Sequence, residues 1–527
     1  MKILISDQLE QSCIDILTRE HFEVDVRPGI SPEDLRKRIG EYDGLVVRSQ
    51  TKVTAEIISA ATSLQVIGRA GTGVDNIDVD AATRRGILVM NTPGGNTVSA
   101  AEHTVSMMMA LARNIPQAYA SLLRGEWERK RYIGTEVFEK TLGVIGLGKI
   151  GREVAARAVG LGMRVIGYDP VIGADAAARQ HIELVSLEEI YHRSDFITVH
   201  TPLTEETKGL LNDETIALCK RGVRIVNCAR GGIVDEAALL RALESGHVGG
   251  AAIDVFEQEP PKGNPLLRHD RVIATPHLGA STEEAQEKVA IQIAHQIVDA
   301  LTGRAFTGVV NSTAVHLTLK AEIRPYVTLA ERLGSLVVQM TRGKLQKLTV
   351  ATSGDLVATT MELMKAGVLK GILSYTQPDP VNFISAPVIA KEMGIVVQER
   401  RDKETDSYAN LLSVRYETDR ETRYVSGAVF GASTVRLVAM DGFRFEVKPE
   451  GHLLIYYNED RPGMLAQVGA ILAKYDVNIA GVSLGRTAIG EKALTVMNID
   501  SDIPAGALEV LQKVPGVMQV RVVNLEA

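Results

Sequence analysis

Residues 142–151 read Leu-Gly-Val-Ile-Gly-Leu-Gly-Lys-Ile-Gly, an apolar run that ends in three glycines with the spacing G-x-G-x-x-G. Gly146 permits a tight turn, Gly148 lets the backbone approach a pyrophosphate, and Gly151 lets the following helix pack close to the strand. The N-terminus of that helix supplies N–H groups and a partial positive charge for a phosphate. The stretch therefore predicts the first βαβ unit of a Rossmann domain. The residues predicted to contact the dinucleotide here are Gly146, Gly148, Lys149, Ile150 and Gly151.

An acidic residue follows the next strand of this unit. Residues 163–168 are predicted to form that strand, and Asp169 stands directly after it, 18 residues beyond Gly151. A carboxylate at this position accepts a hydrogen bond from the 2′-hydroxyl of a ribose and repels a 2′-phosphate. The sequence therefore predicts NAD, and not NADP, as the cofactor.

The composition is that of an ordinary globular protein. The 527 residues, 45% hydrophobic and 23% charged, exceed what one hydrophobic core can organise, so several domains are expected. The net charge of −7 offers no general electrostatic case for a nucleic-acid or membrane partner. Without an apolar run of about 20 residues or a signal peptide, the chain is expected in the cytoplasm. Cys13, Cys219 and Cys228 lack metal-site spacing and are expected to be free thiols, with no metal bound.

Two series of alternating strands and helices divide the first 312 residues. Short apolar strands at 2–6, 22–26, 44–48, 64–69 and 87–91 alternate with amphipathic helices, as in a parallel sheet. A second series starts at residue 141 and ends near 280. Helices at 99–113 and 282–301 are predicted to lead into and out of it. We expect an outer substrate-binding domain of residues 1–97 and 283–312 around an NAD-binding domain of residues 98–282.

The rest of the chain has a different pattern. Residues 313–450 mix helix and strand in an α+β arrangement, and the charge run at 399–406 is predicted to be a solvated loop or hairpin. From residue 452 onward the order of predicted elements is βαββαβ, a ferredoxin-like plan. We therefore expect an intervening domain at 313–450 and a small C-terminal domain at 452–527.

Three groups of residues after the glycines could supply chemistry. Arg230 ends a strand before two glycines and could bind a carboxylate bidentately. His277 ends a later strand, and histidine has a suitable pKa to exchange a proton with a 2-hydroxy acid. Glu257 and Glu259, in the acidic segment 254–260, compete as its carboxylate partner, and spacing does not choose between them. His200 is an alternative acid/base residue, although lining of a nicotinamide pocket together with Thr201 and Pro202 is favoured.

These motifs resemble a known family. The glycine stretch, residues 227–232 (Asn-Cys-Ala-Arg-Gly-Gly), residues 254–260 and residues 276–279 (Pro-His-Leu-Gly) occur in the order found in D-isomer-specific 2-hydroxyacid dehydrogenases. The resemblance implies a Rossmann NAD-binding domain inserted in a flavodoxin-like substrate domain. It also implies that Arg230 anchors the substrate, that Glu259 is the histidine partner and that His277 is the general acid/base. Further cofactor contacts implied by the resemblance are Ala229, Asp254 and Gly279.

Three segments that precede the glycine stretch resemble long-form family members that act on 3-phosphoglycerate. These segments are residues 47–49, 68–76 and 127–131. A substrate with a phosphate and a carboxylate carries roughly three negative charges and needs a cationic pocket. The resemblance places in it Arg48, Arg69, Arg129 or Arg131, and the backbone of Gly71, Thr72 and Gly73. Segment 127–131 could instead be a solvated helix end. In the family it reaches a neighbouring subunit's site, which implies a homodimer or homotetramer.

The C-terminal half supports the same resemblance. Residues 452–527 resemble an ACT domain, an amino-acid-sensing module, and residues 313–450 resemble the intervening, allosteric substrate-binding-like domain of the long form. The positions matching the family's L-serine effector site are Asn458, Asp460 and Asn478. The alternative is that the ACT domain only mediates oligomerisation.

The resemblance implies reversible, NAD-dependent oxidation of 3-phosphoglycerate to 3-phosphohydroxypyruvate, the first step of phosphorylated L-serine biosynthesis. One alternative is a related reductase acting on hydroxypyruvate, glyoxylate or 2-oxoglutarate. Another is an NAD-sensing binding protein, because some transcriptional corepressors share this core.

Overall fold

The first sheet is built from five short strands that alternate with helices. The computed structural model describes residues 1–312, 315–377, 380–402 and 408–525. The strands are parallel and lie in the order β2-β1-β3-β4-β5, the flavodoxin-like order. The elements are β1 Lys2–Ile5, α1 Gln11–Arg19, β2 Glu23–Val26, α2 Pro32–Arg38, β3 Gly44–Val47, α3 Ala55–Ala60, β4 Val66–Arg69, α4 Val79–Arg84 and β5 Leu88–Asn91.

The second sheet is the predicted Rossmann sheet. Its seven strands are parallel and lie in the order β12-β11-β10-β9-β6-β7-β8. The strand order reverses between β6 and β9, and ligands bind outside the carboxyl ends of strands at such a point. The elements are α5 Thr97–Arg113, α6 Ile115–Leu123, β6 Thr141–Ile145, α7 Lys149–Gly160, β7 Arg164–Tyr168, α8 Ala174–Ala178, β8 Glu183–Leu184, α9 Leu187–Arg193, β9 Phe196–Val199, α10 Asp213–Ala217, β10 Val223–Asn227, α11 Glu236–Glu244, β11 Val248–Ile253, β12 Val272–Ala274 and α12 Glu283–Thr302.

Helices α5 and α12 join the two sheets. The buried face of α5, including Met107 and Leu111, packs on the second sheet. The buried face of α12, including Ile293 and Ile297, packs on the first. The chain thus leaves the first sheet through α5 and returns to it through α12, so the prediction of a Rossmann domain inserted in a flavodoxin-like domain is confirmed.

A mixed six-stranded sheet follows, in the order β14-β13-β15-β16-β17-β18. Only β13 and β14 pair in parallel, and the remaining neighbours are antiparallel. The charge run at 399–406 was predicted to be a solvated loop or hairpin. Residues 399–401 are exposed, but they belong to edge strand β14, which pairs in parallel with β13 and so is not part of a hairpin; residues 403–406 lie outside the described residues. The elements are α13 Arg324–Met340, β13 Leu345–Ser353, α14 Asp355–Ala358, α15 Met361–Thr376, α16 Ser385–Glu392, β14 Val396–Arg401, β15 Leu411–Thr418, β16 Thr422–Phe430, β17 Thr434–Met440 and β18 Phe443–Val447.

The last sheet confirms the ferredoxin-like plan. Its strands are antiparallel in the order β20-β21-β19-β22, with two helices on one face. Its other face is covered by the preceding domain, because Leu453, Ile455, Leu494, Val496 and Val523 belong to the same buried cluster as α13 and α15. We call this cluster the shared core. The elements are β19 His452–Glu459, α17 Met464–Lys474, β20 Ile479–Arg486, β21 Lys492–Ile499, α18 Ala505–Gln512 and β22 Val517–Asn524.

The intervening domain also contacts the first sheet. Asn382 donates a hydrogen bond from Nδ2 to the carbonyl of Gly86 at 2.8 Å, and Ile384 is buried in the core of the first sheet. An ion pair between Arg84 and Glu392, at 3.3 Å, lies beside them. Within the described parts of the chain, no helix is long and apolar enough to cross a membrane.

Candidate active site

The glycine stretch forms a turn with open space above it. Gly146 has φ +92°, a left-handed conformation that favours glycine, and a Cβ there would lie 2.6 Å from the carbonyl oxygen of His200. A Cβ on Gly151 would overlap the carbonyl of Gly146, so helix and turn are in close contact. A Cβ on Gly148 would meet nothing within 4 Å. Helix α7 begins at the next residue and has no acidic side chain in its first turn. This geometry fits a pyrophosphate.

Asp169 is fixed beside this turn by backbone donors. Its carboxylate accepts hydrogen bonds from the N–H groups of Leu147 at 2.9 Å, Val171 at 2.8 Å and Ile172 at 3.1 Å. The negative charge therefore stays at the end of β7, where it would meet a ribose. Ile150 packs against the core of the second sheet.

Lys149 reaches across the cleft between the two sheets. Its Nζ donates to the carbonyl oxygen of Pro93 at 3.1 Å. Pro93 precedes α5, so this bond ties the start of α7 to the connection between the two domains.

His200 lies at the end of β9, near the glycine turn. Its Nε2 is 2.9 Å from the hydroxyl of Thr198, and desolvation of the ring lowers the pKa of His200 to about 4. The ring is thus neutral near pH 7 and poorly suited to carry a proton, which favours the alternative of a pocket-lining residue. The methyl group of Thr201 faces Gly146, and Pro202 is exposed.

His277 and Glu259 meet where two strands of the second sheet end. His277 Nδ1 lies 2.8 Å from Glu259 Oε2, and Glu259 Oε1 accepts the N–H of Phe256 at 3.2 Å. Burial raises the pKa of Glu259, but the hydrogen bond and charge of His277, together with the N–H of Phe256, hold that pKa below its usual value. Glu257, the competing carboxylate in the sequence, donates its backbone N–H to Glu236. The geometry pairs His277 with Glu259.

Asp254 organises the segment that carries His277. Its carboxylate is fully buried and accepts the N–H of Leu278 at 2.7 Å, the N–H of Gly279 at 2.9 Å and the hydroxyl of Thr275 at 2.5 Å. Its backbone carbonyl accepts the N–H of His277 at 2.9 Å. Between these bonds His277 has φ +56°, which is uncommon for a residue with a side chain. Asp254 and Gly279 thus belong to the support of the histidine loop.

Arg230 lies between the two sheets. Its Nε forms an ion pair with Asp75 Oδ2 at 2.9 Å, and its Nη1 donates to the carbonyl oxygen of Ala229 at 2.7 Å. The side chain of Asn227 brackets the turn, accepting from the N–H of Ala229 and donating to the carbonyl of Arg230. A Cβ at Gly73 would overlap the guanidinium of Arg230. Substrate-domain loop 71–76 and the turn after β10 are therefore in contact.

Two further arginines lie beside Arg230. Arg69 donates from Nε to Asn76 Oδ1 at 2.8 Å, and Asn76 Nδ2 donates to the carbonyl of Arg48 at 2.7 Å. Burial, followed by the charge of Arg230 and a smaller contribution from Arg48, lowers the pKa of Arg69 to about 10. The structure thus brings three predicted substrate residues into one cationic cluster. We call Arg48, Arg69 and Arg230 the arginine cluster.

Loop 71–73 completes this part of the cleft. Thr72 donates from its hydroxyl to Asn96 Oδ1 at 2.7 Å, just before α5 begins, and Gly71 accepts the N–H of Thr92 at 3.0 Å. The loop that carries the predicted backbone donors is thereby joined to the connection between the domains.

Arg129 and Arg131 are exposed. Arg131 forms ion pairs with Glu128 at 3.3 Å and Asp270 at 3.7 Å. Among the described residues, no hydrogen bond or ion pair links either arginine to the arginine cluster. The predicted substrate residues therefore fall into two sets within one chain.

The three predicted effector residues each have a partner inside the ACT domain. Asn458 is buried and donates to the carbonyl of Glu459. Asp460 accepts from the N–H of Gly490 and from Arg486, both at 3.1 Å, and Asn478 donates to Asp500 Oδ2 at 2.6 Å. Within the described residues, no hydrogen bond joins Asn478 to Asn458 or Asp460.

Several residues of the site had no predicted role. They bridge elements far apart in the chain: Asp75 and Asn76 in the arginine cluster, Asp7 beneath Arg48, and His103 with Thr275 beneath Asp254. The sequence could have indicated His103, because it is a polar, titratable residue among the alanines and methionines of α5.

The chain matches three family models. Residues 105–279 match the model described as D-isomer specific 2-hydroxyacid dehydrogenase, NAD binding domain. Residues 322–441 match the D-3-phosphoglycerate dehydrogenase intervening domain, and residues 452–516 match the ACT domain.

Relatives match along almost the whole chain. A D-3-phosphoglycerate dehydrogenase of Methanocaldococcus jannaschii is 44% identical over 526 residues, covering 100% of both chains. One of Synechocystis sp. is 43% identical over 525 residues, covering 99% of this chain and 95% of the relative. Among solved structures, an NAD-dependent formate dehydrogenase of Staphylococcus aureus in complex with NAD is 29% identical with a TM-score of 0.55. It covers 59% of this chain and 99% of that one.

Proposed function

Because the chain belongs to the D-isomer specific 2-hydroxyacid dehydrogenases, and within them to the D-3-phosphoglycerate dehydrogenase family, we propose that His277, Glu259 and Arg230 carry its reaction. The reaction is the NAD-dependent oxidation of 3-phosphoglycerate to 3-phosphohydroxypyruvate, the first step of the phosphorylated route to L-serine. The observation that carries the residue assignment is the 2.8 Å contact between His277 Nδ1 and Glu259 Oε2.

In the oxidation, the substrate loses a proton from the hydroxyl oxygen on carbon 2 and a hydride from carbon 2 itself. The hydroxyl proton passes to His277 Nε2, the ring nitrogen opposite the one that faces Glu259. Bound NAD would supply the acceptor for the hydride from carbon 2. Glu259 stabilises the imidazolium that forms, and Arg230 holds the substrate carboxylate and polarises the new carbonyl. In the reverse direction His277 returns the proton to the alkoxide.

Substrate charge gives the arginine cluster its proposed role. The phosphate and carboxylate of 3-phosphoglycerate require several cations in a protein of net charge −7. We assign the phosphate to Arg48 and Arg69 and the carboxylate to Arg230 with the backbone of Gly71, Thr72 and Gly73. The assignment is supported by mutual proximity, since burial, and after it the charges of Arg230 and Arg48, lower the pKa of Arg69 to about 10.

The cofactor contacts are assigned residue by residue. The glycine turn with the N–H groups of Lys149 and Ile150 would hold the pyrophosphate, and Asp169 would hold the adenosine ribose. Residues assigned to the nicotinamide side are His200, Thr201, Pro202, Ala229, Asp254 and Gly279. The space above Gly148 and the neutral ring of His200 support these assignments.

The acid/base assignment is tested with His277→Ala. We expect turnover of 3-phosphoglycerate to fall by roughly 100-fold or more, as for the loss of a general acid/base, with little change in NADH affinity because the glycine turn is untouched. Steady-state rates and NADH fluorescence titration measure the two quantities. Unchanged turnover would exclude His277 as the proton acceptor.

We also propose a homodimer or homotetramer. Tyr119, Leu123 and Trp127, in α6 and the segment after it, are between 64% and 77% exposed, which is unusual for neighbouring large apolar side chains. If a partner subunit covered this face, Arg129 and Arg131 of one subunit would reach the active site of the other subunit. Sedimentation of Trp127→Glu against wild type tests the proposal, which predicts a smaller species for the variant.

L-Serine is the proposed effector, supported by the match of residues 452–516 to the ACT domain. Asn458, Asp460 and Asn478 are its proposed contacts, and oligomerisation alone is the alternative. Calorimetric titration with L-serine of wild type and Asn478→Ala separates the two.

The four sheets support the proposed domains, which are residues 1–97 with 283–312, 98–282, 313–450 and 452–527. The three free thiols support a reducing, cytoplasmic location.

A further inference from the structure

A histidine with no part in the proposed mechanism lies beneath the loop that carries His277. His103 is in helix α5, with a side chain 19% exposed. Its Nε2 is 3.1 Å from the hydroxyl oxygen of Thr275 and 3.2 Å from Asp254 Oδ1. It is therefore in contact with both the first residue of segment 275–279 and the carboxylate that holds this segment.

Asp254 depends on the donors around it. Its carboxylate is fully buried, and a buried carboxylate is costly unless hydrogen bonds replace its lost water. Thr275, Leu278 and Gly279 supply three donors from the segment itself. His103 supplies a further donor, and it lies in helix α5, outside segment 275–279. It therefore fixes the position of Asp254 relative to α5 as well as to the segment.

Helix α5 holds segment 275–279 at both ends. His103 contacts Thr275, and Ser99, one helical turn earlier, donates from its hydroxyl to the carbonyl of Gly279 at 2.9 Å. Between these two points His277 has φ +56°, a conformation that persists only where the surroundings impose it. The α5 contacts and Asp254 together supply that constraint.

We propose that His103 is a positioning residue for catalysis, holding Asp254 and Thr275 so that His277 faces the substrate beside Glu259. The inference rests on the proposed role of His277 as proton acceptor. His103 touches neither substrate nor cofactor in this scheme and acts through Asp254. Its loss therefore affects the catalytic step and spares the arginine cluster.

The test compares three variants. His103→Leu removes the donor and keeps the volume, whereas His103→Gln keeps a donor of similar reach. His247→Leu is the matched control, because His247 is another partly buried histidine, directly before strand β11, bonded to the carbonyl of Ile216 at 2.9 Å. For His103→Leu we expect kcat to fall roughly 10- to 100-fold, the range for losing a hydrogen bond to a charged group. KM for 3-phosphoglycerate and NADH affinity should change by no more than about threefold.

Rescue separates positioning from a general structural effect. His103→Gln and His247→Leu should each retain kcat within about threefold of wild type. Equal losses in His103→Leu and His103→Gln, or an unchanged kcat in His103→Leu, would overturn the proposal. If His103→Leu does not fold, Thr275→Val supplies the measurement: it leaves the histidine in place, and an unchanged kcat would equally contradict the proposal.

Failure of the proposed function gives a different result. A wild-type chain that does not turn over 3-phosphoglycerate contradicts the function itself. An active wild type with a fully active His103→Leu variant contradicts only the positioning role.

Discussion

The pair formed by His277 and Glu259 allows a quantitative prediction for Glu259→Gln. Glutamine keeps an oxygen that can accept the Nδ1–H of His277, so the orientation of the ring is preserved. The substitution removes the negative charge that stabilises the imidazolium formed during oxidation. It therefore isolates the electrostatic contribution of Glu259 to the catalytic step.

The size of that contribution follows from distance and exposure. Two unit charges about 4 Å apart interact by about 1 kcal/mol in water and about 4 kcal/mol at an effective dielectric constant of about 20. The side chains of His277 and Glu259 are 44% and 40% exposed, so solvent screens the pair considerably. We take an intermediate value of about 2 kcal/mol, which corresponds to roughly a 30-fold lower kcat.

The assay is the initial rate of NADH formation at saturating 3-phosphoglycerate and NAD. Glu257→Gln is the matched control, since Glu257 lies two residues from Glu259 in the sequence. The bond of Glu257 to Glu236 is made by its backbone N–H, so the substitution leaves it in place. The control should stay within about twofold of wild type. A Glu259→Gln rate within the same range, or an equal loss in the control, would refute the assignment of Glu259 as the partner of His277.

Three further predictions concern charge and protonation. Arg69→Gln should raise KM for 3-phosphoglycerate roughly tenfold or more while changing kcat/KM for unphosphorylated hydroxypyruvate much less; equal losses on both substrates would remove Arg69 from the phosphate site. Asp169→Ser should lower the ratio of NAD to NADP affinity by roughly tenfold, measured by titration with both reduced cofactors, and an unchanged ratio contradicts its ribose contact. His200, whose pKa is lowered to about 4 from 6.5, favours folding above pH 6.5, and this advantage is lost as the pH falls toward 4. We therefore measure the free energy of unfolding by urea denaturation at several pH values between 6.5 and 4. Over this interval it should fall by up to about 3 kcal/mol more in wild type than in His200→Gln, whereas an equal fall in both proteins would contradict the shift.

Local sequence was sufficient to predict the cofactor fold. The tight turn at Gly146, the close helix contact at Gly151 and the acid at Asp169 depend on residues within one βαβ unit, where spacing alone sets geometry. The pairing of His277 with Glu259 was accessible for a related reason: both follow neighbouring parallel strands, whose carboxyl ends meet at one edge. The choice of Glu259 over Glu257 required the family resemblance.

Contacts between distant elements were not accessible from spacing. The ion pair of Arg230 with Asp75 joins residues 155 positions apart, and no periodicity in either segment encodes it. Residues 399–401 were expected in a solvated loop or hairpin because charged residues are typical of solvated segments; they are exposed, but in edge strand β14, and an exposed edge tolerates such residues. Among the described residues, Arg129 and Arg131 form no hydrogen bond or ion pair with the arginine cluster. Spacing along one chain could not reveal this, because their proposed site lies on another subunit.

The shared core bears on how this protein could be shortened. A chain ending after β18 would expose Leu453's partners in α13 and the mixed sheet to water, and an isolated ACT domain would expose the apolar face formed by β19, β21 and β22. Either fragment would be prone to aggregate. A cut in the linker between α12 and α13 instead removes the intervening domain and the ACT domain together. The shared core then stays intact within the C-terminal fragment. The two C-terminal domains are therefore one unit for engineering, to be exchanged between enzymes only as a pair.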